Sequence, residues 1–139
     1  TPDAPWLLRV PASGSAPAHT APVAGWAGAL LAQWLAERRH QAIGGDWLFP
    51  STRSGKPWGK VAQYEAARRV LAEAGLDPGH GGSFRLRHTF ALRQLRAGHV
   101  EDDVARWLGV VDPSVMQRYR RALGNGPPAP ALPRFSPPV

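Results

Sequence analysis

A chain of 139 residues is long enough to bury one core and too short for two ordinary domains. Lysine and arginine number 17 against 10 acidic residues, a formal charge of +7, which favours a polyanionic partner without separating DNA, RNA and membrane headgroups. There is no cysteine, so disulfides and thiolate metal sites are excluded, and no apolar run approaches the ~18 residues of a membrane span.

In chain order, Trp6-Leu7-Leu8-Arg9-Val10 is a short apolar run closed by Pro11 and reads as a strand. Residues 11–22, rich in Ala, Ser, Gly and Pro, read as a loop or an irregular hairpin. From Val23 to about Ala42 the residues Trp26, Leu30, Leu31, Trp34 and Leu35 recur at helical spacing, and Gly44-Gly45 stops the helix. Trp26 and Trp34 are eight residues apart on one stripe and are expected in the core. Trp47-Leu48-Phe49-Pro50 is extended and residues 51–57 make a turn. A second helix over about Lys60 to Ala74 places Val61, Tyr64, Ala67, Val70 and Leu71 on one face, with Gly75 as its stop. After a glycine-rich loop, a third helix spans about Phe84 to Ala97 and a fourth Glu101 to Leu108, closed by Gly98 and Gly109. Asp112-Pro113-Ser114 predicts a capped start for a fifth helix ending near Leu123. Beyond Gly124 six prolines between Pro127 and Pro138 preclude a helix and predict an extended or disordered tail. The expected fold is mainly α, a helix bundle with an N-terminal hairpin or strand pair over residues 1–124, followed by a proline-rich tail over 125–139. A chain that opens on Thr1 and holds Met116 as its only methionine reads as cut from something longer.

Four motifs then fall into one register. Leu86-Arg87-His88-Thr89-Phe90-Ala91 resembles the Leu-Arg-His-Thr-Phe-Ala signature of the tyrosine recombinases, or phage integrases. Gly109 of Leu108-Gly109 follows 22 residues after Arg87, where that family has Leu-Gly-His, and Tyr119 stands ten residues further, at the place of the nucleophilic tyrosine. Ala97-Gly98 resembles the end of the signature helix, and Leu48-Phe49-Pro50 with Ser54-Gly55-Lys56-Pro57 resembles the segment before it. The match covers about residues 47–123 and, more loosely, 6–39.

The resemblance implies a reaction in which a tyrosine oxygen attacks a DNA phosphate, giving a phosphotyrosyl bond and a free 5′-hydroxyl with no cofactor and no ATP. A phenol with a reference pKa of about 10 needs activation, the charged phosphoryl oxygens need arginines and other donors, and the leaving oxygen needs a proton. Arg87 matches the family's second arginine and Tyr119 its nucleophile. The first arginine has no counterpart in this chain. Phe84 replaces a histidine and can neither donate nor accept a hydrogen bond. Val110 replaces the histidine after Leu-Gly, and the hairpin that should supply a lysine reads Pro11-Ala12-Ser13-Gly14-Ser15-Ala16-Pro17-Ala18-His19. Each lost donor costs roughly 10²–10³ in rate, so the isolated chain is expected not to cut DNA.

Each candidate has a plainer alternative. Arg87 reads as a phosphate contact or as an arginine paired with Asp102 or Asp103. Tyr119 is a nucleophile, its relic, or a half-buried tyrosine among arginines. His88 reads as a supporting residue or a core histidine, and His80 and His99 as substitute donors from new positions. Every basic residue but Lys56 and Lys60 is arginine, whose planar fork suits phosphate, although a composition biased to Arg, Ala, Pro and Gly explains the same count. Arg85, Arg93 and Arg96 on the signature helix, with Arg118 and with Lys56 and Lys60 around Trp58, make a surface able to track a DNA backbone, or a merely solvated one. Widely spaced histidines without cysteine argue against a metal site.

The sequence therefore points to a DNA-binding, integrase-like domain in recombination or integration, within a mobile-element protein, cytoplasmic and nucleoid-associated, with double-stranded DNA as partner and no membrane. One alternative is the active C-terminal half of a recombinase that self-associates or joins an upstream part of the same protein. Another is a protein-interaction module on the same scaffold.

Overall fold

The computed structural model describes residues 6–51, 53–79 and 81–124. Its elements are β1 (Trp6–Val10), β2 (His19–Val23), α1 (Gly25–His40), α2 (Lys60–Glu73), α3 (Gly82–Arg96), α4 (Glu101–Leu108) and α5 (Pro113–Gly124). The proline-rich tail and His80 lie outside the described residues. Among the described residues no helix is long and apolar enough to cross a membrane. The chain divides into two compact units, one of residues 1–29 and 87–139, the other of residues 30–86.

In the first unit β1 and β2 are antiparallel, with Trp6 opposite Val23 and Val10 opposite His19. The hairpin continues past the strands to a tight turn in which Ser13 and Ala16 exchange backbone hydrogen bonds of 3.0 and 3.1 Å. Val23, expected to start the first helix, instead ends β2 and is buried. Strand β2 packs against α4. The core is small and apolar: Ala91 of α3, Val104 and Leu108 of α4, Met116 and Tyr119 of α5. These pairs follow from helical geometry, since residues three or four apart share a face. Full burial of such a side chain contributes about 1.5–3 kcal/mol, and Val104 and Ala91 are wholly inaccessible.

The ends of the helices are fastened as their sequences dictate. Asp112 caps α5, its Oδ1 accepting from the Ser114 amide at 2.9 Å, one residue past Pro113 in the first turn. That amide, and then the Ser114 hydroxyl, hold the Asp112 carboxyl below its ordinary pKa. Across α4 and α5, Arg120 grips Glu101 with a two-point contact at 2.6 and 2.7 Å; this hydrogen bond draws the Glu101 carboxyl down and raises the guanidinium further. A carboxyl with a lowered folded pKa stabilises the fold above its unfolded value, and that contribution fades as pH falls through the folded value. The urea midpoint is therefore expected to drop between about pH 5 and pH 3, and the double variant Glu101→Gln, Asp112→Asn should show a flatter acid profile than the wild type. Equal slopes in the two proteins would show that these contacts are idle.

The second unit buries less. Of its large side chains Leu71 is 5% exposed, whereas Val61 of the expected α2 face is 76% exposed. Hydrogen bonds to loop carbonyls hold much of it. Trp34 Nε1 donates to the Leu48 carbonyl at 2.8 Å, and the Trp34 ring stacks on Phe49. Arg38 collects the segment after α1, its Nε donating to Ile43 O at 3.3 Å and its terminal nitrogens to the carbonyls of Gly44, Gly45 and Trp47. Gly45, at φ +88°, lies so close to residue 55 that a Cβ would stand 2.5 Å from the Gly55 carbonyl. Only glycine permits both that conformation and that approach.

Expectation fails at Trp26, which is 74% exposed instead of buried with Trp34. The face of α1 that docks in the first unit is that of Gly28, whose position would bring a Cβ to 3.2 Å from the Trp6 ring. Two residues along a helix are about 200° apart, so seating Gly28 on Trp6 turns Trp26 outward.

Candidate functional site

Arg87 and Tyr119 both belong to the first unit. The Arg87 guanidinium, an exposed group on α3, reaches α4 and donates through Nη2 to the Leu108 carbonyl at 2.6 Å. That carbonyl is at the C-terminus of α4, where the helix dipole favours a cation. Neither Asp102 nor Asp103 is its partner; Asp103 pairs with Arg106. Tyr119 is 6% exposed, within the same apolar cluster as Leu108. Its hydroxyl shares a 2.8 Å hydrogen bond with Nδ1 of His88, the two rings meeting edge to face at 5.6 Å. Arg87 thus bonds the last residue of α4, while the phenol, 32 positions away in sequence, bonds His88, the neighbour of Arg87 on α3, and shares a buried cluster with Leu108.

The turn after that helix is crowded from the opposite strand. Gly109 takes φ +65°, and a Cβ there would lie 2.5 Å from Cε1 and 2.6 Å from Nδ1 of His19. The His19 imidazole therefore fills the space that a side chain at position 109 would need. Its Nδ1 is 3.0 Å from the Pro17 carbonyl, and a carbonyl only accepts, so Nδ1 carries the proton. The sequence noted His19 only as the last residue of a lysine-free hairpin. Its place at the site follows from the pairing of β2 and the packing of that strand on α4, which no local pattern encodes. Val110 is half-buried against the core cluster.

The remaining candidates are spread more widely. Arg93, Arg96 and Arg118 are exposed in the first unit. His99 stands edge-on to Trp107 at 5.1 Å, and its buried Nε2 has no hydrogen-bond partner among the described residues; it does not reach Tyr119. Phe84, 65% exposed, Arg85, Lys56 and Lys60 belong to the second unit. Arg85 donates to the Asp77 carbonyl, tying the loop before α3, and Trp58 donates to the Pro50 carbonyl at 3.2 Å, so that ring anchors a turn while remaining 41% exposed.

The sequence profile of the phage integrase family matches residues 8–125. The chain belongs to that family. Among solved structures, the integrase-family chain is similar to the XerH site-specific recombinase, crystallised with a palindromic difH substrate in a post-cleavage complex, at 23% identity and a TM-score of 0.66. The alignment covers 85% of this chain and 33% of that one, so the present chain spans about a third of the recombinase it matches. No curated protein matches. The likeness in fold agrees with the mainly helical architecture and N-terminal hairpin that the motifs imply.

Proposed function

We propose that this integrase-family chain binds double-stranded DNA through its phosphates as part of a recombination or integration system, and that the chain by itself does not cut. The observation that supports this reading is that the Tyr119 phenol bonds His88, the neighbour of Arg87, while Arg87 bonds Leu108 of the cluster that holds Tyr119, within a chain matched by the family profile. Arg87 supplies a forked donor to a phosphate, and Tyr119 occupies the nucleophile's position. His88, bonded to the phenol, holds that side chain inward. Val110 supplies no donor on this turn, and the preceding hairpin has no lysine. Arg93, Arg96 and Arg118 add backbone contacts on the first unit, and Lys56, Lys60 and Arg85 on the second. This reading places the protein with DNA in the cytoplasm, in a mobile element.

The coverage of a third of the XerH chain favours a second reading, in which the same residues complete an active recombinase when the rest of a catalytic domain is supplied by another segment or a second protomer.

Binding measured by gel shift across salt concentrations tests the first reading. If Arg87, Arg93, Arg96, Arg118, Lys56, Lys60 and Arg85 each neutralise one phosphate, log K should fall against log salt with a slope of roughly −6, and each alanine substitution should shallow it by about one. Tight binding with no salt dependence would remove the phosphate-tracking surface.

A further inference from the structure

The imidazole of His19 stands where a side chain at Gly109 would be, one residue from the carbonyl that holds Arg87. With Nδ1 committed to the Pro17 carbonyl, Nε2 is the nitrogen left to face a ligand, and it has no hydrogen-bond partner among the described residues. A neutral imidazole offers Nε2 only as an acceptor; on taking a second proton it becomes a charged donor. An arginine on a helix and, once protonated, a histidine on a strand can thus both donate at one turn, and the chemistry they share is that of an oxyanion ligand.

We propose that His19 is a phosphate-binding residue, its Nε2 donating to the same DNA phosphate as Arg87 and taking up a proton as DNA binds. This rests on the DNA-binding reading above and adds a residue to it. It supplies at this turn the donor that Val110 does not, from a strand held to α4 by packing. The charged groups on the elements around the imidazole are Arg9 on β1, Arg87 on α3, Glu101, Asp102, Asp103 and Arg106 on α4, and Asp112 beyond the turn. Glu101 and Asp103 are paired with Arg120 and Arg106, and Asp112 caps α5, so three of these four acids already have partners. A DNA phosphate brings a fresh negative charge, which favours the imidazolium.

The test is binding of the 139-residue chain to a fluorescent duplex, measured by anisotropy at constant ionic strength from about pH 5.5 to 8, the range in which imidazoles change charge. Wild-type affinity should rise about tenfold toward the acid end, as expected for one charge-assisted contact. His19→Gln should be weak and nearly flat with pH, and His19→Lys should be tight at both ends. A His19→Gln protein that follows the wild-type curve, or a His19→Lys protein no tighter than wild type at the alkaline end, overturns the assignment. If the wild type binds no DNA at any pH, the DNA-binding reading falls, and an NMR titration of His19 with inorganic phosphate then decides the anion site separately. A titration midpoint that phosphate raises in the wild type but not in Arg87→Ala upholds the site, and one that phosphate leaves unmoved overturns it.

Discussion

Replacing Gly109 by alanine is expected to lower the stability of the chain by about 2–5 kcal/mol, a large fraction of what a domain this size has to lose. Two penalties combine. A residue with a Cβ pays about 1–2 kcal/mol in the left-handed region, which Gly109 occupies at φ +65°. The new methyl must also displace the His19 ring, 2.5 Å from where it would stand, and overpacking of that kind costs about 1–3 kcal/mol. Gly98 provides the control, because it too has a positive φ, +89°, but faces open space. Gly98→Ala should therefore show only the conformational part. In denaturant unfolding, equal losses for the two variants would mean that the imidazole gives way freely. Adding His19→Ala to Gly109→Ala should recover part of the loss, the non-additivity expected of two groups in contact.

The second large effect concerns covalent chemistry. Offered a nicked duplex that traps a phosphotyrosyl product, the chain alone should form no adduct that depends on Tyr119. Each missing oxyanion donor costs roughly 10²–10³ in rate. The losses do not simply add, but on the proposed register Phe84 and Val110 stand where two donors are expected and the hairpin carries no lysine. The structure adds a steric reason, since the Tyr119 phenol is 6% exposed and hydrogen-bonded to His88. An adduct abolished by Tyr119→Phe would overturn this expectation. An adduct that formed only after addition of a protein carrying the rest of a recombinase domain would instead support the second reading.

Much of the fold was legible because strong local rules agreed with the tertiary outcome. Asp112-Pro113 declares where α5 begins, and the apolar pattern of residues 6–10 declares β1. The fourth helix begins and ends where its glycine and apolar pattern place it. α1 was less legible because it is apolar on several sides: Trp26, Leu30, Leu31, Trp34 and Leu35 fill more than one stripe, so periodicity could not choose the docked face. The choice fell to Gly28, whose missing side chain admits the Trp6 ring. The α2 face was overfilled in the same way, with Leu71 buried and Val61 and Val70 exposed.

For the candidate site, the spacing from Arg87 to Tyr119 left room for α5 to return to α3, where the phenol bonds His88 beside Arg87, because both lie on helices of regular pitch joined by short turns. Spacing does not tell which atom each side chain meets. Arg87 was weighed against Asp102 and Asp103 as partners and found a backbone carbonyl. His19 was passed over because its place depends on the pairing of His19 with Val10 and of Val23 with Trp6 and on the packing of β2 against α4. Arg38 belongs to the same class: nothing in its sequence context foretells that one guanidinium gathers the carbonyls of residues 43–47.

The buried phenol of Tyr119 sets a condition on any reaction at this centre. To present its oxygen to a phosphate, the side chain must leave the apolar packing that Ala91, Val104, Leu108 and Met116 build around it and surrender its hydrogen bond to the imidazole. Reactivity and structural integrity are then opposite ends of one equilibrium, and whatever draws the ring outward must first compensate the vacancy it leaves behind.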